Sequence, residues 1–385
     1  MQFIKLVIRN TFRQRLRTLL TIFGMAVAIL AFALLITVIE AWYIGVNSAA
    51  PNRLVSRNAV SLIFPLPLSY RTRIVQVPGV QKVAYANWFG GVYIDERHFF
   101  PRMAVGPETY FDLAPEIIIS PEELKAFWSQ RNACIAGRKL IDQYRWRIGD
   151  TITLTGNIYP GEWRLVLRGV YRGVTKSVDE TALLFNWNYL DEMVKKTTPT
   201  RAGQVGWYLI QIQNPADAGR VSQEIDALFK NSLAETLTET EKAFAAGFVA
   251  MTEAIVIAIR VVSYVVIGVI LVILANTMAM TSRERMPEYA ILKTMGFGNG
   301  YLWMLIAGES VFLSMLGGIV GIGMSFPVAH VFSSTLGTLM PVFHLRWQTM
   351  LLCVLVSFGI GVVSAILPFW RACRLRIAEA LRHMG

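Results

Sequence analysis

The sequence predicts an α-helical membrane protein with four transmembrane helices, one followed by three, and a large α/β extracytoplasmic domain inserted between helices 1 and 2. Three observations predict it. Of 385 residues, 54% are hydrophobic and 16% charged, a balance far enough from that of soluble chains to demand a bilayer. Four segments, 18–39, 261–281, 302–327 and 349–370, are apolar over about 20 residues or more, the length of a helix that crosses about 30 Å of hydrocarbon. Between the first and second of them the composition reverts to that of an ordinary soluble domain, long enough to build its own core.

In chain order, residues 1–17 read as a basic amphipathic cytoplasmic helix. Lys5, Arg9 and Arg13 form one row and Ile4, Ile8, Phe12 and Leu16 the next, a pattern that suits the headgroup plane and serves equally as a plain topology determinant. Transmembrane helix 1 follows at 18–45. It reads as a retained anchor, since its apolar core exceeds a signal peptide's and Ser48-Ala49-Ala50 is a weak cleavage match. Residues 46–245 form the inserted periplasmic domain. Its turns fall at Pro78-Gly79, Gly106-Pro107, Ile148-Gly149-Asp150 and Pro160-Gly161, and its strand-like alternation at 82–86, 151–155, 163–171 and 208–213. Helical patterns occupy 121–130, with Ser120 as N-cap and Pro121 first, and 216–231. Residues 233–260 are helix-prone, with few breakers, so 246–282 is expected to be a stalk running into transmembrane helix 2. The remainder divides into a cytoplasmic coupling segment (283–300), helix 3 (301–333), an outer loop (334–348), helix 4 (349–370) and a cytoplasmic tail (371–385).

Orientation follows from the basic residues. Lys5, Arg9, Arg13, Arg15 and Arg17 precede the first span with no acid among them, and Arg371, Arg374, Arg376 and Arg382 follow the last against Glu379 alone. With an even number of spans both termini share a side, and the positive-inside rule makes it the cytoplasm. A multi-pass protein of the cell inner membrane is expected, with membrane lipid around it. The formal charge of +11 is largely this asymmetry, so nucleic-acid binding is not inferred. Trp42, Tyr43, Tyr301, Trp303, Trp347 and Trp370 mark the span ends. Cys134 is the one cysteine on the exported side, with Cys353 and Cys373 in or beside the fourth span, so it is expected to be a buried or free thiol.

The polar link between spans 2 and 3, Arg283-Glu284-Arg285-Met286-Pro287-Glu288-Tyr289-Ala290-Ile291-Leu292-Lys293-Thr294-Met295-Gly296, carries the functional expectation. Pro287 at the first helical position, Glu288 in the first turn and Gly296 as a left-handed stop spell a short helix. Tyr289, Ala290, Ile291, Leu292 and Met295 make it too apolar to be merely solvated, so something must dock on it. Glu309 is the one acid inside a predicted span. Pairing with an Arg of a neighbouring helix is favoured over a proton relay. Gly317 and Gly321 form a G-x-x-x-G, and Ser357, Gly361 and Ala365 repeat the spacing, as close helix packing requires.

The chain has no G-x-x-x-x-G-K-[ST] loop. Gly296, Gly298 and Gly300 follow a helix rather than a strand, and His98, His330, His344 and His383 have no metal-site spacing. No catalytic, cofactor-binding or metal-ligating residue is therefore expected on this chain, and no enzyme activity of its own.

At this point the pattern resembles the permease subunits of MacB/FtsX-type ABC transporters over nearly the whole chain. The most specific match is Arg283-Glu284-Arg285-x-Pro287-Glu288-Tyr289-Ala290-Ile291-Leu292-Lys293-Thr294-Met295-Gly296, similar to that family's coupling segment, with Glu309 and the Gly-rich third span after it. Val77-Pro78-Gly79-Val80, Ile135-Ala136-Gly137-Arg138-Lys139-Leu140 with Ile148-Gly149-Asp150, and Leu167-Arg168-Gly169-Val170-Tyr171 are similar to its periplasmic domain. The resemblance implies a dimer of permeases, homo- or heteromeric, gripped at Arg283, Glu284, Pro287, Glu288, Ile291, Leu292, Met295 and Gly296 by a separate ABC ATPase subunit that holds the ATP and Mg. It implies export or efflux, in some members with a periplasmic adaptor and an outer-membrane channel. Mechanical regulation of a cell-wall enzyme and lipoprotein release are the alternatives.

Overall fold

The computed structural model describes residues 2–175, 177–336, 343 and 345–374. The expectations on the side chains of Ile4 and Lys5, on His344 and His383, on Arg376, Glu379 and Arg382, and on most of the outer loop and tail lie outside the described residues. The chain divides into two compact units, Met1–Ala41 with Thr252–Thr335 and Phe343–Gly385, and Trp42–Met251 with Leu336–Val342.

The inserted unit is a mixed α/β domain built on β1 (Arg53–Asn58), β2 (Leu66–Pro67), β3 (Val80–Trp88), β4 (Arg102–Val105), β5 (Ile117–Ile118), β6 (Ala133–Gly137), β7 (Thr151–Gly156), β8 (Gly161–Gly173), β9 (Leu183–Asn186), β10 (Gln204–Val205), β11 (Trp207–Ile212) and β12 (Thr236–Thr240). Ten of these form one sheet in the order β12-β1-β11-β3-β4-β9-β6-β8-β5, with β7 on β8, while β2 and β10 pair separately. The β4–β9 and β6–β8 pairs are parallel and the remainder antiparallel. Successive side chains leave a strand on opposite faces, and here both faces are covered. Val83, Tyr85, Cys134, Ala136, Leu183 and Phe185 enter one apolar cluster. Their neighbours Ala84, Ala86, Ala133, Ile135 and Leu184 enter another. Cys134 is a free thiol, fully buried.

The expected strands at 82–86, 151–155 and 163–171 fall within β3, β7 and β8, and that at 208–213 overruns the end of β11 by one residue. The helix Pro121–Ser129 opens on the Ser120–Glu123 capping box. The helix-prone stretch from residue 233 is different. Thr236–Thr240 is a strand, paired with β1, because Thr236 and Thr238 turn inward to donate hydroxyl bonds of 2.8 and 2.7 Å to Asp226. Helix resumes at Glu241–Met251, stops at Thr252, which leaves the helical region (ψ 13°), and restarts as Glu253–Glu284. The expected unbroken stalk is therefore two helices. Within this unit Arg53 is nearly buried between Glu116 (2.8 Å) and Glu241 (2.7 Å). Its burial opposes the charge, yet both carboxylates together hold the guanidinium above its ordinary value.

The other unit holds the helices long and apolar enough to cross a membrane: Arg15–Trp42, Glu253–Glu284, Asn299–Leu336 and Trp347–Cys373, referred to as spans 1 to 4. An N-terminal helix, Gln2–Thr11, leads through a 3-10 turn at Phe12–Gln14 into span 1. The chain bends there, because the Thr18 hydroxyl donates to the Thr11 carbonyl. In a straight helix the Cα atoms of residues seven apart lie about 10 Å from each other along the axis, too far for this bond. Span 3 packs on span 1 at its glycines. A Cβ on Gly317 would stand 2.5 Å from Met25 Cβ, and one on Gly321 2.5 Å from the Ala26 carbonyl oxygen. Gly361 of span 4 lies against span 3, where a Cβ would sit 2.7 Å from Val311 Cα. Ser310 and Ser364 join the same two helices by a hydroxyl–hydroxyl bond of 2.6 Å. These small-residue rows are thus used within one chain.

Candidate coupling site

The link between spans 2 and 3 folds as a helix, Met286–Thr294, with Pro287 in its first turn, one position later than expected. Its end is a Schellman motif. Gly296 adopts φ 90°, its N–H reaches the Lys293 carbonyl at 3.1 Å, and the Phe297 N–H reaches the Leu292 carbonyl at 3.0 Å. Span 4 ends alongside, since Lys293 Nζ donates at 3.0 Å to the carbonyls of both Ala372 and Cys373. A cation there satisfies terminal carbonyls and the negative end of the helix dipole. The beginning of span 1, the turn between spans 2 and 3 and the end of span 4 therefore meet at one end of the bundle.

The apolar residues of this helix divide into two faces. Tyr289 and Ala290 are buried and Leu292 is half-buried against the bundle core, whereas Ile291 is 45% and Met295 69% exposed. Leu292, expected on the docking face, is turned into its own chain instead. Pro287 is partly buried, and Arg283 is exposed beside Arg371, away from the acids.

Those acids are engaged by the chain itself. Arg285 lies almost buried at the start of the helix, its Nη1 donating to Glu309 at 2.7 Å and its Nε to Glu288 at 2.9 Å. Glu309, with its side chain 5% exposed, thus has the structural cation partner expected of it. Glu288 also accepts from Arg13 at 2.6 Å. One helical turn further, Arg17 grips Glu284 with both nitrogens at 2.8 and 3.1 Å, and Gln14 adds a third bond of 2.7 Å. The two-point contact is the strong, orienting form of an Arg–carboxylate pair. A polar cavity of about 150 Å³ lies among these groups, with Thr18, Thr21 and Thr281 in its wall. Partial burial alone would raise the Glu288 carboxyl, but the bonds from Arg285 and Arg13 outweigh it and hold the group below its ordinary range. Burial pushes the Tyr289 phenol up to about 12.

The structure thus brings together Glu284, Glu288 and Glu309 of the expected set. It adds Arg285, Arg13, Arg17, Gln14 and Lys293, which sequence reasoning had not assigned to the site. The signal for them existed: Arg9, Arg13 and Arg17 recur at four-residue spacing, and Arg285 stands three residues before Glu288. Gly296 is a left-handed helix stop, as its sequence position predicts.

Among known proteins, residues 18–228 match the family model described as MacB-like periplasmic core domain, and residues 260–377 match FtsX-like permease C-terminal. An uncharacterized ABC transporter permease of Methanocaldococcus jannaschii is 25% identical over 97% of this chain and 96% of its own. The uncharacterized ABC transporter permease YknZ of Bacillus subtilis is 35% identical, over 28% of this chain and 26% of YknZ. The macrolide export ATP-binding/permease protein MacB of Syntrophobacter fumaroxidans is 27% identical, over 61% of this chain and 31% of that protein. Among solved structures, the periplasmic region of MacB from Actinobacillus actinomycetemcomitans aligns with TM-score 0.38 and 12% identity over 53% of this chain and 95% of that one.

Proposed function

This chain belongs to the MacB/FtsX-type ABC transporter permeases, and from that premise we propose that it serves an exporter whose separate ATP-hydrolysing subunit docks on the helix Met286–Thr294. In this reading the docking end of the bundle faces the cytoplasm, the inserted unit lies outside the inner membrane, and a second permease completes the dimer. ATP and Mg belong to the partner subunit. A relative named for macrolide export supports export as the work done, and a periplasmic adaptor with an outer-membrane channel is the corresponding extension.

One observation carries the reading. The helix is fixed along one side by Tyr289, Ala290 and Leu292 while Ile291 and Met295 stand exposed on the other. A nine-residue helix alone would be marginal, but this one is anchored on the bundle core along its buried side. Movement imposed on its exposed edge passes to span 3 through Arg285–Glu309 and to the turn that precedes span 1 through Arg13–Glu288, while Arg17–Glu284 ties span 1 to the end of span 2. The chemistry of ATP cleavage is not needed here, only a stiff lever.

Ile291→Glu and Met295→Glu test it. Both sites are exposed, so stability should stay within about 0.5 kcal/mol of the parent. Co-purification of the ATPase subunit and coupled ATP turnover in reconstituted membranes should fall together. Unchanged assembly and turnover in the double variant would refute docking at this helix.

A further inference from the structure

The inserted unit carries a cleft of about 400 Å³ that the coupling reading does not use. It lies between the loop after β1, the end of β3, the tip of the β7–β8 hairpin and the segment leading into β11. Its walls are apolar and face solvent: Ile63 is 89%, Phe64 52%, Trp88 39% and Ile158 43% exposed, with Trp207 also lining it. Such a cluster in a concavity is what a soluble surface avoids unless something occupies it, and the volume lies within the range of small-molecule sites.

The one charged group at the cleft is a cation, Arg201. No Asp or Glu lines it. Arg201 makes no ion pair among the described residues, its guanidinium bonding only the Ile158 carbonyl at a long 3.5 Å. The Asn87 amide, deep in the cleft, is already satisfied by the Tyr159 hydroxyl and the Trp187 indole. What remains for a ligand is the Arg201 cation and the neutral Gln204 amide, set among apolar walls.

We propose that this cleft binds a small aromatic or other apolar molecule bearing a single anionic group, its body against Trp88, Trp207 and Ile158 and its anion on Arg201. The inference rests on nothing in the coupling reading and would survive its failure. It is tested with the full-length protein in phosphatidylcholine nanodiscs, using naphthalene-2-sulfonate as probe and neutral naphthalene-2-sulfonamide as its matched control, with empty nanodiscs subtracted. Equilibrium dialysis and saturation-transfer NMR should show the sulfonate bound more tightly than the sulfonamide. Arg201→Gln should weaken the sulfonate about tenfold, as expected for loss of a charge-assisted bond, and leave the sulfonamide within about twofold. Ile158→Asp, at an exposed hairpin tip, should weaken the sulfonate more than the sulfonamide by setting a like charge beside it. Continued protection of the buried Cys134 thiol reports that each variant is folded. No binding above empty nanodiscs, equal affinity for the two probes, or sulfonate binding indifferent to Arg201→Gln would each overturn the proposal.

Discussion

Replacing Glu309 by Gln tests whether the buried pair with Arg285 holds the bundle end together. The two side chains are 5% and 10% exposed and 2.7 Å apart. Breaking such a pair by removing one partner typically costs about 3–5 kcal/mol, because the survivor is left charged and desolvated. Arg285 is not wholly orphaned, since Glu288 still accepts from its Nε, and Gln still presents a carbonyl. Both effects move the expected loss to the lower edge, about 2–3 kcal/mol, close to the value of a hydrogen bond to a charged group. Replacing both residues by Met removes the charges with the bond and should be near neutral, so a double-mutant cycle built from Arg285→Met, Glu309→Met and the pair should return a coupling of at least about 1.5 kcal/mol. The assay is a detergent-denaturation midpoint in mixed micelles, read by helical circular dichroism, with exposed Arg283→Gln as control. If Glu309→Gln loses no more than that control and the cycle closes to zero, the pair is incidental. The coupling route through span 3 would then have no physical carrier.

Three further outcomes follow. The Glu288 carboxyl is held below its ordinary value of 4.5, so its contribution is present above that pH and is lost as pH falls through the lower folded value. The side chain is 43% exposed, which limits the contribution to about 1 kcal/mol, and Glu288→Gln or added salt should flatten the acid limb of the stability profile. Cys134 is fully buried and burial raises its thiol, so maleimide should label it only after denaturation; rapid labelling of native protein would contradict the β6 assignment. Gly317→Val would drive a side chain into Met25 and should cost about 1–3 kcal/mol by overpacking, whereas the same change at Gly323, which has open space around it, should cost less than half as much.

The spans were legible because lipid leaves a backbone no alternative to helix, and β8 was legible because its burial alternates along its length. Ala133–Gly137 and Leu183–Asn186 were not, since every residue in them is buried. A strand covered on both faces loses the period of two that would announce it. Thr236–Thr240 failed for another reason. Glu235 and Glu239 beside threonines look like a solvated helix face, and the Asp226 acceptor that fixes the strand lies ten residues away in sequence from Thr236.

The helix Met286–Thr294 shows the same limit at a finer scale. Five apolar residues around nine positions declare that the helix is covered, but periodicity cannot divide them between the chain's own bundle and a partner. The structure assigns Tyr289, Ala290 and Leu292 inward. It also gives the acids of that segment partners within the chain, since Glu288 and Glu284 accept from Arg13, Arg285 and Arg17. A charge reversal at Glu288 would therefore place two arginines against a third cation inside this chain before any partner arrived, and its effect could not be read as an interface effect. What stands free at this helix is the apolar edge of Ile291 and Met295, with Phe297 just beyond it, 39% exposed. In the proposed reading, recognition through this edge selects by shape, while the acids hold the edge still. The two roles separate by salt: docking through an apolar edge should persist at about 0.5 M salt, where the Debye length is only a few ångströms, whereas docking through Glu288 and Glu284 should not.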